Sequence, residues 1–150
     1  MIKNATKNNM EIQIFNPPDK NIQNLIYIIR GKQVMLDKDI ALYFGVTTGN
    51  LNKAMKRNIN RFPEYFCFCL TKEECSSFQS GILNTGRGYN IKYLPFVYTE
   101  QGVAMLTSVL HTDRAISASI KIIEAFVEMS RYLKQNQQLL PYEELKNLIK

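Results

Sequence analysis

In the stretch from Asp37 to Arg57, DKDIALYFGVTTGNLNKAMKR, the apolar residues stop at Gly45, resume beyond Thr47 and Thr48, and end in a basic run. A single amphipathic helix does not accommodate a glycine, a β-branched valine and two threonines in its middle. Two short helices joined by a tight turn do. In a helix-turn-helix pair the helices cross closely and the turn needs a backbone shape that glycine tolerates. Ile40, Phe44, Val46, Leu51 and Ala54 supply the buried positions, Ala41 the small residue at the helix contact, Gly45 the turn and Thr47 the cap of the second helix. The competing reading is a plain αα-hairpin with a glycine turn.

If the second helix runs from Thr48 to about Asn58, burial of Leu51, Ala54 and Met55 leaves Thr48, Gly49, Asn52, Lys53, Lys56 and Arg57 outward. Such a face suits the major groove of duplex DNA. Asn52 can pair bidentately with adenine, Thr47 and Thr48 lie at the helix start, and Lys53 or Lys56 can reach guanine or backbone oxygens. Gly49 would let backbone amides approach a phosphate. Arg57 and Arg61 lie past the groove-facing turn and suit phosphates, which position rather than specify. From Lys53 to Arg61 there are four basic residues and no acidic one. For each cation taken singly, the alternative is an ordinary solvated charge.

The whole chain points the same way. Its 150 residues carry 19 Lys and Arg against 13 Asp and Glu, a formal charge of +6 that favours an anionic partner. The length and the 45% hydrophobic content suit one domain with its own core. No run of eighteen apolar residues occurs, and the polar start MIKNATKNNMEIQIFNPPDK does not read as a signal peptide, so a soluble cytoplasmic protein is expected. The three cysteines, Cys67, Cys69 and Cys75, lack the C-x2-C spacing of a zinc site and read as free thiols; no metal and no cofactor is expected.

Along the chain, residues 1–22 read as a flexible arm closed by Pro17 and Pro18, and LIYIIRGKQVML as a hairpin turning at Arg30-Gly31-Lys32. Residues 65–70 alternate as a strand, with Cys67 and Cys69 on one face. Thr71 with Glu74 fits a capping box, and KYLPFVYT a strand with Pro95 at an edge or bulge. Thr99 caps a helix buried through Val103, Met105, Leu106, Val109 and Leu110. Asp113 is the expected N-cap of the longest helix. That helix carries a stripe of Ile116, Ile120, Ile123, Val127 and Ser130 beside Ala115, Ile122, Phe126 and Met129. The expected class is α+β: a compact domain over residues 23–133 with a helix-turn-helix-like unit, short β-hairpins and a long C-terminal helix. Residues 134–150 are expected to form a helical tail.

Three segments carry a family resemblance: IRGKQVMLDKDIALYFGV, LNKAMKRNINRFPEYFCFCLTKEE and YLPFVYTEQGVAMLTSVLHTDRAI. They resemble the phage and prophage ORF-six-N domain, related to KilA-N and Bro-N domains, over roughly residues 25–133. The resemblance implies a DNA-binding domain of phage antirepressor-like and regulatory proteins, associated with the bacterial nucleoid. It places the family's helix-turn-helix-like segment on Asp37 to Arg57. In the loop before YLP, Arg87 and Lys92 remain as phosphate contacts.

Two function classes follow. One is a transcriptional regulator that reads double-stranded DNA, with a homodimer on two half-sites the common arrangement. The other is an antirepressor that binds a repressor protein through the long helix and tail. An enzyme is not expected: there is one histidine and no G-x-S-x-G, GK[ST] or H-E-x-x-H motif. Asp37 and Asp39 read as helix N-terminal carboxylates favoured by the dipole.

Overall fold

The structure, a computed structural model, describes residues 22–77 and 94–138. The expected N-terminal arm up to residue 21, the Arg87 and Lys92 loop, and the tail past residue 138 lie outside the described residues.

Strands β1 (Ile26–Ile29) and β2 (Lys32–Leu36) form the hairpin anticipated from the sequence, with Ile29 opposite Lys32. Arg30 and Gly31 both take positive φ, 57° and 75°, which is the two-residue turn whose twist matches a β-hairpin. A non-glycine residue there is strained, and Arg30 is held by its side chain. Its guanidinium grips both oxygens of Glu74, at 2.8 and 3.0 Å, and lies 4.1 Å from the centre of the Phe68 ring. Glu74 also completes the expected capping box. It accepts from the Thr71 amide while its own amide donates to Thr71 Oγ1, opening α3 (Lys72–Ser77). The Arg30 contact holds the Glu74 carboxyl below its ordinary range.

Strand β3 (Cys67–Cys69) is shorter than the expected residues 65–70, because the Phe66 and Cys67 amides both bond to the Pro63 carbonyl and make a turn. Strand β4 (Phe96–Tyr98) lies between β2 and β3, giving an antiparallel sheet in the order β1-β2-β4-β3. It is therefore an inner strand. Pro95 sits ahead of its first residue, where the missing N–H breaks no ladder bond, and offers its carbonyl to Leu70. Both faces of the sheet are also covered. Tyr98, Met35 and Cys67 join the larger core with the helices, while Val97, Val34, Leu36 and Phe68 close a second cluster with Cys75.

On the first face pack α1 (Asp37–Phe44), α2 (Thr48–Arg57), α4 (Glu100–Leu110) and α5 (Asp113–Gln138), with a 3-10 turn at Ile59–Arg61. The cap of α5 differs from expectation. Thr112, one residue earlier than Asp113, accepts the Ala115 amide at 3.0 Å. The buried stripe of α5 differs in part. Ala115, Ile122 and Phe126 are buried as expected, joined by Ala118, Ser119 and Ala125, with Ile123 and Met129 packed partly against the core, whereas Ile116, Ile120 and Val127 are 46%, 54% and 42% exposed. Small residues let α5 sit close against its neighbours, which turns Ile116, Ile120 and Val127 outward. No helix among the described residues is long and apolar enough to cross a membrane.

Thr99 and Gly102 lock α4 to the chain before β3. The Thr99 amide donates to the Phe66 carbonyl at 3.0 Å, its hydroxyl donates to the Tyr65 carbonyl at 2.9 Å, and it accepts the Gly102 amide. A Cβ on Gly102 would collide with the Phe66 carbonyl, which is backbone and cannot swing aside. Gly102→Ala is therefore expected to lower stability by about 3 kcal/mol, the upper range for overpacking. Urea unfolding at equilibrium checks it; a loss under about 1 kcal/mol would mean that the helix shifts freely.

Candidate nucleic-acid interface

The α1-turn-α2 unit follows from local chemistry. Gly45 ends α1 in the left-handed region at φ 75°, its amide bonding back to the Ala41 and Leu42 carbonyls, and the Val46 amide also returns to Ala41. Thr47 then caps α2 through its hydroxyl, which accepts the Asn50 amide at 3.0 Å. Ile40, Ala41, Phe44, Leu51 and Met55 are buried between the helices and the rest of the core. The last turn of α1 has no basic residue of its own. Arg114 supplies the charge from α5, donating to the Tyr43 and Leu42 carbonyls at 3.3 and 3.4 Å.

The outward face of α2 carries Gly49, Asn50, Lys53, Lys56 and Arg57, all exposed, with Asn60 and Arg61 continuing it beyond the helix. Thr47 is exposed and Thr48 half-buried. Lys56 holds its ammonium 5.2 Å from the centre of the Phe96 ring, and Arg61 lies 3.4 Å from the Ser108 hydroxyl. None of these four cations forms an ion pair among the described residues. Among the described residues no carboxylate compensates their charge at ion-pair distance.

Asn52 requires a correction. The sequence set it outward as an adenine-reading amide, but the structure turns it in. Its Nδ2 donates to Asp37 Oδ2 at 2.7 Å, and its Oδ1 accepts from the Tyr98 hydroxyl at 2.8 Å. The same Asp37 oxygen accepts the Phe96 amide at 3.1 Å. The reason is spatial: Asp37 at the start of α1 and Tyr98 on β4 meet beneath α2, and both are buried. Nothing at helical spacing within α2 announces a carboxylate fifteen residues earlier. Asn50 takes the outward place instead: it stands three residues before Lys53, a spacing visible in the sequence that puts the two on one helix face.

Among the described residues no cluster of His, Cys, Asp and Glu could hold a metal. Cys67 and Cys75 are buried and Cys69 is exposed, all as free thiols. Burial, chiefly, raises the affinity of the Asp39 carboxyl for its proton.

A scan of family models matches the ORF6N domain over residues 24–109, more than half of the chain. The chain belongs to the ORF6N family. No curated protein and no solved structure matches it. Within this ORF6N domain the matched region takes in the whole sheet and helices α1 to α3, and nearly all of α4; α5 lies outside it.

Two outcomes follow for the polar node. Asn52→Ala leaves the Tyr98 hydroxyl without its Asn52 acceptor, and is expected to lower stability by about 1–3 kcal/mol, the range for a stranded buried polar group. Denaturant titration checks this, and wild-type stability would mean that the node is idle. Beside it, the Cys67 thiol is pushed up to about 12 from 9.0, chiefly by burial, with the Tyr98 hydroxyl opposing and the Asp37 charge adding. The Tyr98 phenol is raised as well, again chiefly by burial. A raised folded-state value favours the neutral form, so this stability is present below pH 9 and is lost as pH climbs towards 12. Unfolding midpoints from pH 8 to 11 should fall, and fall less steeply in Cys67→Ala; equal slopes would refute the assignment.

Proposed function

We propose that this ORF6N domain is a DNA-associated regulatory module of phage or prophage type that docks duplex DNA with the outward face of α2. The observation that carries the reading is the set of four cations without an ion pair among the described residues, Lys53, Lys56 and Arg57 on α2 and Arg61 just beyond it, on a helix held at its start by the Gly45 turn and the Thr47 cap. Thr47, Thr48 and Gly49 bring the start of α2 to the sugar-phosphate backbone, and the cations neutralise phosphates along it. In this reading Asn52 is a support, holding α2 against α1 and β4 from behind. The test is a titration on random-sequence duplex at several salt concentrations. With about four phosphates engaged, log K should fall against log salt with a slope near −3.6, and Lys53→Ala or Arg57→Ala should each reduce it by about 1. Binding that is absent, or indifferent to salt, would remove the reading.

A second reading has its own observation, the exposed Ile116, Ile120 and Val127 on α5. An antirepressor that captures a repressor protein would use such an apolar stripe. Ile120→Glu should then abolish capture of that repressor and leave DNA affinity unchanged. Capture retained by the variant would exclude α5 as the contact.

A further inference from the structure

A bidentate contact to adenine needs one donor for N7 and one acceptor for the N6 amino group, both free on the same side chain. On Asn52 neither points outward: Nδ2 is turned in to Asp37 and Oδ1 to Tyr98. Asn50 has both. It is the third residue of α2, it is exposed, and only its backbone amide is engaged, with Thr47 Oγ1. Among the described residues its side-chain amide has no hydrogen-bond partner. Lys53 and Arg57 follow it at i+3 and i+7 on one face, so a duplex that meets the two cations also meets Asn50. The first residues of a recognition helix are the ones that reach base edges.

An independent observation comes from the neighbouring residue. A Cβ on Gly49 would meet nothing within 4 Å, and its φ is outside the left-handed region, so neither packing nor backbone in this chain demands glycine. Glycine is also among the poorest residues inside a helix. What it provides at this turn is room for an outside surface to come against the helix backbone beside Asn50.

We propose that Asn50 is the base-reading side chain of α2, accepting from N6 and donating to N7 of an adenine in the major groove, with Gly49 clearing the approach. The inference rests on the DNA-binding reading above. It is tested with the full chain on a random duplex pool, by selecting bound sequences and then comparing affinity for the selected duplex with that for the pool. Wild type should prefer an A·T pair at one position. Asn50→Ala should lose roughly tenfold or more of that preference, with the salt dependence and the melting temperature unchanged. Gly49→Ala should weaken binding to every duplex without altering the preference. Wild-type preference retained in Asn50→Ala would overturn the inference while leaving the DNA reading intact. Salt-dependent binding by wild type with no preferred sequence would do the same. If wild type shows no salt-dependent binding at all, the DNA reading fails, and the inference with it.

Discussion

Asp37 is the residue on which the arrangement of this domain turns. It begins α1, where the helix dipole favours a carboxylate, and one of its oxygens accepts from both Asn52 on α2 and the Phe96 amide at the start of β4. Tyr98, wholly buried two residues further along β4, completes the set by donating to Asn52. The two helices and a strand about forty residues further on are thereby fixed to one another by charge-assisted and neutral hydrogen bonds out of water, where an unmade bond is most expensive. Leu51 and Met55 turn the apolar side of α2 to the core, and the node adds a directional constraint on its polar edge. The rotation of α2 decides which side chains it presents.

Two further contacts do the same for the periphery. The Thr99 and Gly102 clasp lets α4 come against the Phe66 backbone closely enough that no side chain fits between them. Arg30 accepts a left-handed backbone in the β-hairpin turn and is held there by Glu74 and the Phe68 ring, joining the hairpin to the cap of α3. Each joins a local motif to a partner more than thirty residues away. The local halves are legible in sequence: a glycine turn, a threonine cap, a capping box.

How far legibility extends follows from the range of the interaction involved. The Gly45 turn, the Thr47, Thr71 and Thr99 caps and the hairpin at Gly31 are decided within three or four residues, and all five are present as anticipated. Which stripe of α5 is buried is decided by its neighbours. The expected face held both Ile116, Ile120 and Val127 and the neighbouring Ala115, Ile122 and Phe126, and packing selected the latter side, where Ala118 and Ala125 permit close contact. Hydrophobicity alone favoured the other. Asn52 fails for a related reason: an asparagine on a basic helix suits a DNA-reading surface, and nothing nearby in the chain marks it as half of a buried pair.

The sequence by itself determined the secondary elements, the α1-turn-α2 unit and a strip of positive charge without acidic residues from Lys53 to Arg61, because these depend on backbone preferences and spacing along the chain. Tertiary structure decided the rotation of α2, and therefore that Asn50 rather than Asn52 looks outward, and the placement of β4 inside the sheet. Those choices depend on which distant groups meet, and a buried carboxylate, amide and phenol satisfy one another only when three separate segments arrive together.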